Sequence, residues 1–360
     1  MTQPVLIMAG GTGGHVFPAL AVARELESRD APVVWLGTRR GIEAELVPAA
    51  GIALEWVRVS GLRGKGIWNW ILAPWRLAVA LFDALRVVRR RRPRAVLGMG
   101  GFASGPGGVA AWLLGRPLII HEQNSVAGLT NRLLAGFARE VLAAFPGSFS
   151  SRVPARVVGN PVRPDILALP APDERLAGRT GPLHLLVLGG SQGALALNET
   201  VARAVARIAD AERPEILHQA GRNTLDRAVA AYRDAGVAAR VEPFIADMAA
   251  AYAWADLVIC RAGALTIAEL AATGVGAVFV PFPAAVDDHQ TRNARFLADA
   301  NAGVLIPQDE LTPERLAAEI EACSNDRELV LARARAARAL AQPAATRAVA
   351  DSCLKWGGGR

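Results

Sequence analysis

The chain carries the same local pattern twice, and this repetition limits its fold more than any other feature of the sequence. A short apolar strand at 5–9 runs into the glycine-rich turn 10–14 and an alanine-rich segment, and 183–188 runs into the turn 189–193 in the same way. A glycine turn between a strand and a helix is typical of doubly wound domains built on parallel sheets. The sequence therefore predicts two Rossmann-like domains, and a cleft between the halves would be the natural place for a site.

The rest of the chain fits this alternation of strands and helices. A length of 360 residues provides two cores of ordinary size. The segment 150–173 is rich in proline and shows no sustained period, so we interpret it as the linker between the domains. Further buried strands are predicted at 33–36, 95–99, 118–120 and 278–280.

Several features bear on the compartment. The three cysteines, Cys260, Cys323 and Cys353, form no disulfide framework, which favours a reducing cytoplasm. The N-terminus passes directly into an apolar strand without a basic region, so we expect no signal peptide. The longest uncharged stretch, 95–115, matches a membrane span in length but contains seven glycines and a proline. We therefore expect a cytoplasmic protein without a membrane-spanning helix.

The net charge of +7 and the pI of about 10.2 predict a negatively charged partner. The densest basic run, at 86–94, follows a tryptophan-rich segment at 67–75, and no nucleic-acid motif accompanies it. Such a segment is suited to a membrane surface, where aromatic side chains enter the headgroup zone and arginines meet anionic lipid. The structural alternative is an amphipathic core helix with a solvated basic tail. The candidate membrane contacts are Trp68, Trp70, Ile71, Leu72, Trp75, Arg86, Arg89 and Arg90.

Glycine-rich turns at helix starts suit phosphate, because bare N–H groups and the positive end of the helix dipole face the ligand. The first loop is not a dinucleotide fingerprint, since Val16 stands where the third glycine belongs, and neither loop contains the lysine of a P-loop. Nicotinamide and ATP chemistry are therefore not favoured. The chain also lacks an Asp-x-Asp triplet that would hold a divalent ion on a diphosphate. We expect no metal and no cofactor.

Further segments make the pattern specific. They are Gly-Met-Gly-Gly-Phe-Ala-Ser-Gly-Pro at 98–106, His-Glu-Gln-Asn at 121–124 and Cys-Arg-Ala-Gly-Ala-Leu-Thr-Ile-Ala-Glu at 260–269. Together with the glycine loops and the segments 159–163 and 288–294, in this order along the chain, they closely resemble the MurG family of bacterial glycosyltransferases. Members of this family add N-acetylglucosamine to lipid I, giving lipid II, in peptidoglycan synthesis.

The resemblance implies a GT-B fold class, in which two Rossmann-like, doubly wound parallel-sheet domains face each other across a cleft. It implies an acceptor and membrane-association domain at 1–160, a UDP-sugar-binding domain at 161–340, and a final helix at about 341–360 that packs on the first domain. The implied partners are UDP-N-acetylglucosamine, lipid I and an anionic membrane surface on the cytoplasmic face of the plasma membrane, without nucleic acid. The implied reaction inverts the anomeric carbon and uses no bound metal.

Within 260–269, Glu269 is the main donor-binding candidate. The resemblance implies that its carboxylate accepts hydrogen bonds from both ribose hydroxyls of UDP. Thr266 lies three residues before it, so a capping box at a helix start is the structural alternative. The neighbouring donor-binding candidates are Ala264, Leu265, Thr266, Ile267 and Ala268.

Four other donor-binding residues are implied by the resemblance. Ile245 would lie against the uracil, with its backbone making the polar contacts, and Ser191 would bind the diphosphate beside free helix N–H groups. Arg163 would contact the phosphates, and Gln290 would orient the sugar hydroxyls. The structural alternatives are core packing for Ile245, an N-cap for Ser191, a solvated charge for Arg163 and an exposed helix position for Gln290.

The first glycine loop provides the catalytic candidate. His15 would act as general base, removing the proton from the acceptor 4-hydroxyl as that oxygen attacks the anomeric carbon. The positive end of a helix dipole favours the neutral imidazole that a base requires. The alternative is a histidine that only organises the loop or the acceptor diphosphate. By the resemblance, the residues that touch the donor sugar are Thr12, Gly13, Gly14 and Asn124, whose amide both donates and accepts.

Some alternatives stay open at this point. His121 and Glu122 are secondary acid/base candidates, although they follow a buried strand and a structural role is the other reading. A UDP-N-acetylglucosamine 2-epimerase-like isomerase would bind the same donor without a lipid acceptor, and the tryptophan segment beside the arginines argues against it. A noncatalytic donor-binding or scaffold subunit is the second rival, and the presence of both halves with His15 argues against it.

Overall fold

The computed structural model describes residues 3–59, 73–190 and 194–356. These residues form two compact units. The N-terminal unit takes in the described chain up to Arg163 and again from Pro343, and the C-terminal unit is Pro164–Gln342. Each unit has a buried apolar core of its own.

The described part of the N-terminal unit contains one fully parallel sheet. Its order is β3-β2-β1-β4-β5-β6-β7, where the strands are β1 (Val5–Met8), β2 (Val33–Gly37), β3 (Ala53–Trp56), β4 (Ala95–Gly98), β5 (Leu118–Glu122), β6 (Glu140–Ala143) and β7 (Ala155–Val157). Val5 lies opposite Val33 on one side and Ala95 on the other, so β1 is central. The order reverses between β1 and β4, and in sheets of this kind ligands bind beyond the carboxyl ends of the strands at such a point.

Both faces of the central strands β1, β2, β4 and β5 are buried, which explains why these strands read as continuous apolar runs. Val5 and Ile7 of β1 pack in one core, whereas Leu6 and Met8 pack in a second core, because successive side chains of a strand point to opposite faces. The helices in the described part of this unit are α1 (Gly13–Glu27), α2 (Glu43–Ala49), α3 (Ala73–Arg91), α4 (Ser104–Leu113), α5 (Leu129–Leu134) and the final helix α15 (Ala345–Trp356).

The final helix is fixed to the N-terminal unit by polar contacts as well as by its buried face. Trp356 Nε1 donates to Glu140 Oε2 at 2.7 Å. Arg156 Nη2 donates to Glu140 Oε1 at 2.9 Å and to Ser352 Oγ at 2.8 Å. Val349 and Cys353 on the inner face of α15 belong to the same core as α1. This helix therefore covers the face of the sheet on which α1 lies.

The C-terminal unit repeats the arrangement. The strands described there are β8 (His184–Leu188), β9 (Glu215–Gln219), β10 (Arg240–Glu242), β11 (Leu257–Cys260), β12 (Gly276–Phe279) and β13 (Gly303–Leu305), and they form a parallel sheet in the order β10-β9-β8-β11-β12-β13. Leu185 lies opposite Ile216 on one side and Leu257 on the other. The order reverses between β8 and β11, which is the position equivalent to β1 and β4.

Local sequence explains several helix ends in this unit. One helix follows Thr312, whose side chain accepts from Arg315 N and is followed by Pro313 at the first helical position. Another ends before Gly274, which has a left-handed φ of 62°. Among its described residues the α-helices are α6 (Pro164–Leu167), α7 (Pro172–Arg175), α8 (Leu195–Val205), α9 (Leu225–Asp234), α10 (Met248–Trp254), α11 (Ala264–Thr273), α12 (His289–Ala298), α13 (Pro313–Asn325) and α14 (Arg327–Ala339).

The two predicted doubly wound, parallel-sheet domains are confirmed, and each strand predicted from the sequence is present. The segment 150–173, predicted as the linker between the domains, contains the boundary between the two units, which lies after Arg163. The segment nevertheless contains regular structure, which the prediction missed. It contains β7, which pairs with β6 at the sheet edge, where a preceding proline is tolerated. It also contains α6 and the first residues of α7, and α7 is fixed by Arg175, whose guanidinium donates to Ala255 O and Gly274 O.

Candidate active site

Three loops meet at the carboxyl edge of the N-terminal sheet. They follow β1, β4 and β5, which are neighbours in the sheet and stand at the point where the strand order reverses. The loop after β1 begins at Ala9, whose carbonyl accepts from the buried Trp35 Nε1 at 2.8 Å. The helix α1 starts at Gly13, so the first glycine loop lies at a helix N-terminus as predicted.

A buried carboxyl group holds the first glycine loop from behind. Glu43 is fully buried and accepts from Gly11 N at 2.9 Å, Thr38 N at 3.0 Å and Thr38 Oγ1 at 2.8 Å. A Cβ atom at Gly10 would lie 2.5 Å from Glu43 Oε1, so only glycine fits over this carboxyl group. Because Gly11 gives its N–H to a protein carboxyl group, that N–H is already satisfied without a phosphate.

The loop after β4 packs against the first loop through backbone atoms. Gly100 and Gly101 have φ angles of 88° and 84°, which favour glycine. A Cβ at Gly101 would lie 2.5 Å from Gly10 O, and one at Gly100 would lie 2.7 Å from His15 Nδ1. The two glycines therefore allow this loop to touch both the first glycine loop and the imidazole of the candidate base.

His15 occupies the third position of α1, and its imidazole is half-buried. Its Nδ1 lies 3.1 Å from Oε1 of Gln123, the residue that follows β5. Gln123 is only 1% exposed. Sequence reasoning missed this partner, although the His-Glu-Gln-Asn segment at 121–124 was singled out and ends a predicted strand at this same edge of the sheet.

His121 and Glu122 are held in the fold. Glu122 accepts from Asn124 N (2.9 Å), Gly128 N (3.0 Å) and Asn131 Nδ2 (2.8 Å), so both of its oxygens are engaged. His121 Nε2 lies 2.9 Å from Gly159 O, and burial lowers the pKa of this imidazole to about 4. These contacts favour the structural reading of both residues over an acid/base role.

The structure places five further donor-binding candidates in this unit, among them Arg163, which was predicted within the 161–340 domain. Thr12 is the N-cap of α1 by position but makes no side-chain capping bond, and Gly13 and Gly14 form the first turn. Asn124 Nδ2 donates to Glu122 Oε1 at 3.2 Å. The guanidinium of Arg163 stacks over the Phe17 ring of α1 at 5.7 Å from its centroid, so Arg163 is half-buried and not a fully solvated charge.

In the C-terminal unit the second glycine loop follows β8. Ser191 lies outside the described residues, so its predicted diphosphate contact stays a prediction. Gly189 N donates to the backbone carbonyl of Gln219 at 3.1 Å, and a Cβ at Gly189 would lie 2.9 Å from Ala194 N. The helix that follows, α8, begins at Leu195 with Ala194 as its N-cap.

Glu269 does not belong to a capping box. The N-cap of α11 is Gly263, which makes no side-chain capping bond, so Thr266 is the third helical residue and Glu269 lies in the second turn. Glu269 is buried, and its Oε2 accepts from the Tyr252 hydroxyl at 3.0 Å. The capping alternative is therefore wrong, and a buried carboxyl group beside a tyrosine hydroxyl needs another explanation.

The neighbours of Glu269 divide into two groups. Ala264 and Ile267 are buried on the inner face of α11, so the side chain of Ile267 is part of the core. Leu265, Thr266 and Ala268 are half-buried. The side chains of this second group are the ones that a ligand at the N-terminal half of the helix could reach.

Ile245 and Gln290 are both tied to neighbouring loops. Ile245 is buried, and its backbone N–H donates to Gln219 Oε1 at 3.0 Å. Gln290 is half-buried at the start of α12, and its Oε1 accepts from Phe282 N at 2.9 Å. The structural alternative for Gln290, a polar residue on an exposed helix, therefore stays open, and core packing of the Ile245 side chain agrees with its burial.

The outer face of α3 carries the part of the basic, aromatic segment that the structure describes. Trp68, Trp70, Ile71 and Leu72 lie outside the described residues. Small apolar residues at 80, 84, 87 and 88 face the core, while Trp75 is 71% exposed and Leu77 and Phe82 are exposed beside it in sequence. Arg86 and Arg89 are exposed, but Arg90 forms an ion pair with Glu55, which reduces its free charge.

The two helices that follow α3 present more exposed apolar side chains. α3 packs on α4, and α4 packs on α5. Trp112 of α4 is 51% exposed, and its ring lies 4.9 Å from that of Phe137, which follows α5. No helix in the described ranges is long and apolar enough to span a bilayer. The exposed apolar residues on α4, α5 and the turn after α5 are Trp112, Leu113, Leu129, Leu133 and Phe137.

Across 3–59, 73–190 and 194–356, no group of three or more His, Cys, Asp or Glu side chains is placed to hold a metal ion. The three cysteines are buried and unpaired, and burial raises the thiol pKa of Cys260 and Cys353 to about 12. Thiol chemistry is therefore not available at either of these residues.

Two family models match the chain. The glycosyltransferase family 28 N-terminal domain matches residues 5–143, and the glycosyltransferase family 28 C-terminal domain matches residues 184–349. The first match contains β1 to β6 with His15 and Gln123. The second contains β8 to β13 with Ile245 and Glu269.

Relatives match over their whole lengths. A protein of Alkalilimnicola ehrlichii is 60% identical, covering 99% of both chains, and one of Nitrosococcus oceani is 57% identical, covering 100% of both. Both are named UDP-N-acetylglucosamine--N-acetylmuramyl-(pentapeptide) pyrophosphoryl-undecaprenol N-acetylglucosamine transferase.

The fold is shared with solved structures. The crystal structure of Acinetobacter baumannii MurG superposes with a TM-score of 0.84 at 43% identity, covering 98% of this chain and 99% of that one. The calicheamicin glycosyltransferase CalG4 superposes with a TM-score of 0.67 at 18% identity, covering 99% and 98%, which shows similarity of fold alone. The predicted GT-B fold class is confirmed.

Proposed function

The chain belongs to glycosyltransferase family 28 and, within it, to the MurG family, and from this premise we propose that it transfers N-acetylglucosamine from UDP-N-acetylglucosamine to lipid I, forming lipid II. It is a glycosyltransferase of peptidoglycan synthesis. The observation that carries the proposal is the match over the whole chain to relatives whose names state this transfer. The same names favour transfer over 2-epimerisation of the donor.

In the proposed reaction the 4-hydroxyl oxygen of the N-acetylmuramoyl unit bonds to the anomeric carbon while the bond from that carbon to UDP breaks. The electron pair of the broken bond leaves with UDP, and attack from the opposite face inverts the carbon. His15 Nε2 takes the proton of the hydroxyl. This role is supported by the position of the His15 imidazole, which is half-buried beside Gly100 at the carboxyl edge of the N-terminal sheet.

We assign donor recognition chiefly to the C-terminal unit. Glu269 accepts hydrogen bonds from the ribose, and its burial beside Tyr252 supports a role other than helix capping. Ile245 lies against the uracil, and Gln290 orients the sugar hydroxyls. Because no metal enters this proposal, the charge that develops on UDP is met by protein donors, of which Ser191 and Arg163 are the candidates. Thr12, Gly13, Gly14 and Asn124 remain candidates for contact with the donor sugar.

We further propose that the protein binds the cytoplasmic face of the plasma membrane as a peripheral protein, because its acceptor is anchored there by a polyprenyl chain. The contact surface is the outer face of α3 with the exposed apolar residues of α4 and α5. Trp75 and Trp112 are amphipathic anchors for the headgroup zone, and Arg86 and Arg89 supply about 1 kcal/mol each on anionic lipid. Trp68, Trp70, Ile71 and Leu72 extend this proposal along the chain.

Transfer of radiolabelled N-acetylglucosamine from UDP to a lipid I analogue, with the product identified by mass, tests the reaction. The expected product is the lipid-linked disaccharide, and its formation should continue in EDTA. Release of an epimerised sugar without transfer would support the isomerase instead. UDP-sugar binding with neither product would support a binding module, and dependence on added Mg²⁺ would contradict the metal-free reaction.

Sedimentation with vesicles tests the membrane surface. Binding should rise with the anionic lipid fraction and fall with salt, because exposed charges are screened. The triple variant Arg86→Gln, Arg89→Gln, Arg90→Gln should sediment less while its UDP affinity stays unchanged. The matched control is the triple variant Arg203→Gln, Arg227→Gln, Arg233→Gln, which removes three exposed, ion-paired arginines of the C-terminal unit. Equal sedimentation with neutral and anionic vesicles would contradict the proposal.

A further inference from the structure

We infer that Gln123 is a positioning residue for the base: its amide oxygen holds His15 in the tautomer that carries the proton on Nδ1. The inference rests on the proposed function for its catalytic meaning, and on the contact between the two side chains for its structural part. Gln123 Oε1 lies 3.1 Å from His15 Nδ1, across 108 residues of sequence. An amide oxygen only accepts, so the nitrogen that faces it must donate.

The tautomer decides which nitrogen can take a proton. A neutral imidazole has one N–H and one lone pair, and the hydrogen bond at one nitrogen sets the state of the other. With the proton on Nδ1, the lone pair is on Nε2, which is the nitrogen that the proposed proton transfer uses. In the opposite tautomer Nε2 would carry a hydrogen and could not accept the proton of the acceptor hydroxyl.

The imidazole is held on its face as well as on its Nδ1 edge. The backbone of Gly100 lies so close that a Cβ there would sit 2.7 Å from both Nδ1 and Cε1 of His15. His15 is itself on the first turn of α1, next to the glycine loop that Glu43 holds. The ring therefore has contacts from α1, from the loop after β4 and from the residue after β5, which is what a fixed base requires.

The acid that precedes Gln123 is not the partner of the imidazole. Glu122 is engaged by Asn124, Gly128 and Asn131. A carboxylate on Nδ1 would favour the charged imidazolium, whereas a neutral amide orients the ring without that effect. A glutamine is thus suited to a base that must be neutral before the reaction begins.

The direct test is the tautomer of His15 in the intact protein. Long-range ¹H–¹⁵N correlation spectra of [¹⁵N]histidine-labelled protein distinguish the two nitrogens, and the His15→Gln variant assigns the signals. We expect the proton on Nδ1 in the unaltered protein and a shift toward the other tautomer in Gln123→Met, which keeps the size of the side chain without the acceptor. A proton on Nε2 in the unaltered protein, or no change in Gln123→Met, would overturn the inference.

Steady-state kinetics of Gln123 variants provide a second test of the positioning role. Gln123→Met should lower kcat about 10²-fold with little change in the KM for UDP-N-acetylglucosamine, because the base is misoriented and the donor contacts remain. Gln123→Glu keeps an acceptor at the same place and should keep the proton on Nδ1, but because a carboxylate favours the charged imidazolium, the loss of kcat toward low pH should begin at a higher pH than in the unaltered protein. A full kcat in Gln123→Met, or a pH profile of kcat in Gln123→Glu that matches that of the unaltered protein, would contradict the positioning role.

Two controls separate the possible failures. Gln342→Met makes the same substitution at an exposed site after α14 and should change neither tautomer nor rate. Thermal unfolding of each variant shows whether the fold is kept, and an altered tautomer in a Gln123 variant with an unchanged midpoint supports the inference. If the unaltered protein shows the Nδ1–H tautomer yet transfers no sugar, the proposed function fails while the structural inference stands.

Discussion

The two glycine loops follow the same sequence pattern, but the described N–H groups in them have different acceptors. In the N-terminal unit the loop N–H of Gly11 is bound by the buried carboxyl group of Glu43, and a histidine follows in the first turn of the helix. In the C-terminal unit Gly189 N is bound by the backbone carbonyl of Gln219, and the buried acid Glu269 lies on a different helix. The acceptor is therefore a side chain from a distant segment in the first loop and a neighbouring strand's backbone in the second.

The difference teaches that a strand, a glycine turn and a helix specify geometry and not ligand. We expect the residues behind the loop and in the first turn of the helix to decide which ligand the loop serves. On this account the first loop positions a base, and the second lies among the residues that hold the nucleotide. Variants that act on one loop and not on the other therefore test the comparison.

The largest expected effect is on the rate of sugar transfer. His15→Ala should lower turnover by about 10² to 10⁴-fold and leave UDP affinity nearly unchanged, because the imidazole acts on the acceptor in the transition state. Steady-state transfer and UDP calorimetry measure the two quantities. Unchanged turnover in His15→Ala would mean that another residue is the base. An equal loss of UDP affinity in this variant would mean that the first loop also binds the donor, and the proposed difference between the loops would be wrong.

The next effect is on stability. Glu43→Ala should lower the free energy of unfolding by about 2 to 4 kcal/mol, because it leaves Gly11 N and the two donors of Thr38 without their acceptor. Glu45→Ala, on the exposed side of the same helix, is the control and should cost less than about 1 kcal/mol. Urea denaturation measures both. Equal effects of the two variants would show that the carboxyl group does not hold the loop.

Donor affinity is the matching test in the C-terminal unit. Glu269→Ala should weaken UDP binding by about 1 to 3 kcal/mol through lost hydrogen bonds to a charged group. Tyr252→Phe removes the observed partner of Glu269 but keeps the carboxyl group, so its effect on UDP should be smaller. Calorimetry on both variants gives the answer. Unchanged UDP affinity in Glu269→Ala would refute the ribose role.

The smallest effect is a pH dependence that both units share. Burial lowers the pKa of His121 to about 4 and of His218 to about 3, against an ordinary value of 6.5. The unfolded chain therefore binds these protons first as the pH falls, so stability is full above about pH 6.5 and declines below it, by about 1.4 kcal/mol per pH unit for each histidine.

Replacing His218 separates the contribution of the C-terminal unit. His218→Gln should flatten the decline in unfolding free energy between pH 6.5 and 5 by about 1.4 kcal/mol per unit, as measured by urea denaturation across that range. Tyr232→Phe, which removes one hydrogen bond but keeps the imidazole, should leave the slope as it is. A slope that is the same in His218→Gln and in the unaltered protein would contradict the assignment.

Local patterns predicted the parts of the fold that depend on local sequence. The apolar runs and glycine turns predicted both sheets and the helix that begins beside His15. The capping box at Thr266 failed because the start of α11 is set by Gly263, whose extended backbone takes the N-cap position. A spacing of three residues, as between Thr266 and Glu269, occurs both in a capping box and between successive turns inside a helix. The spacing alone therefore cannot locate the start of the helix.

Contacts between distant segments were beyond the sequence. Gln123 meets His15 across 108 residues and Glu43 meets Gly11 across 32, and both pairings depend on which strands lie side by side. The strand order places the ends of β1, β4 and β5 together, and no local pattern contains that order. The same reason explains why the short strand β7 at the edge of the sheet was interpreted as linker: its pairing with β6 is what makes it a strand.

The most direct test of the central claim is the single-turnover rate of transfer to a lipid I analogue as the donor concentration is raised to saturation. The claim is that the first loop serves the chemical step and the donor residues serve binding. Glu269→Ala should approach the rate of the unaltered protein at saturating donor, whereas His15→Ala should stay about 10² to 10⁴-fold slower at every concentration. A His15→Ala rate that recovers with donor, or a Glu269→Ala rate that never does, would contradict the account.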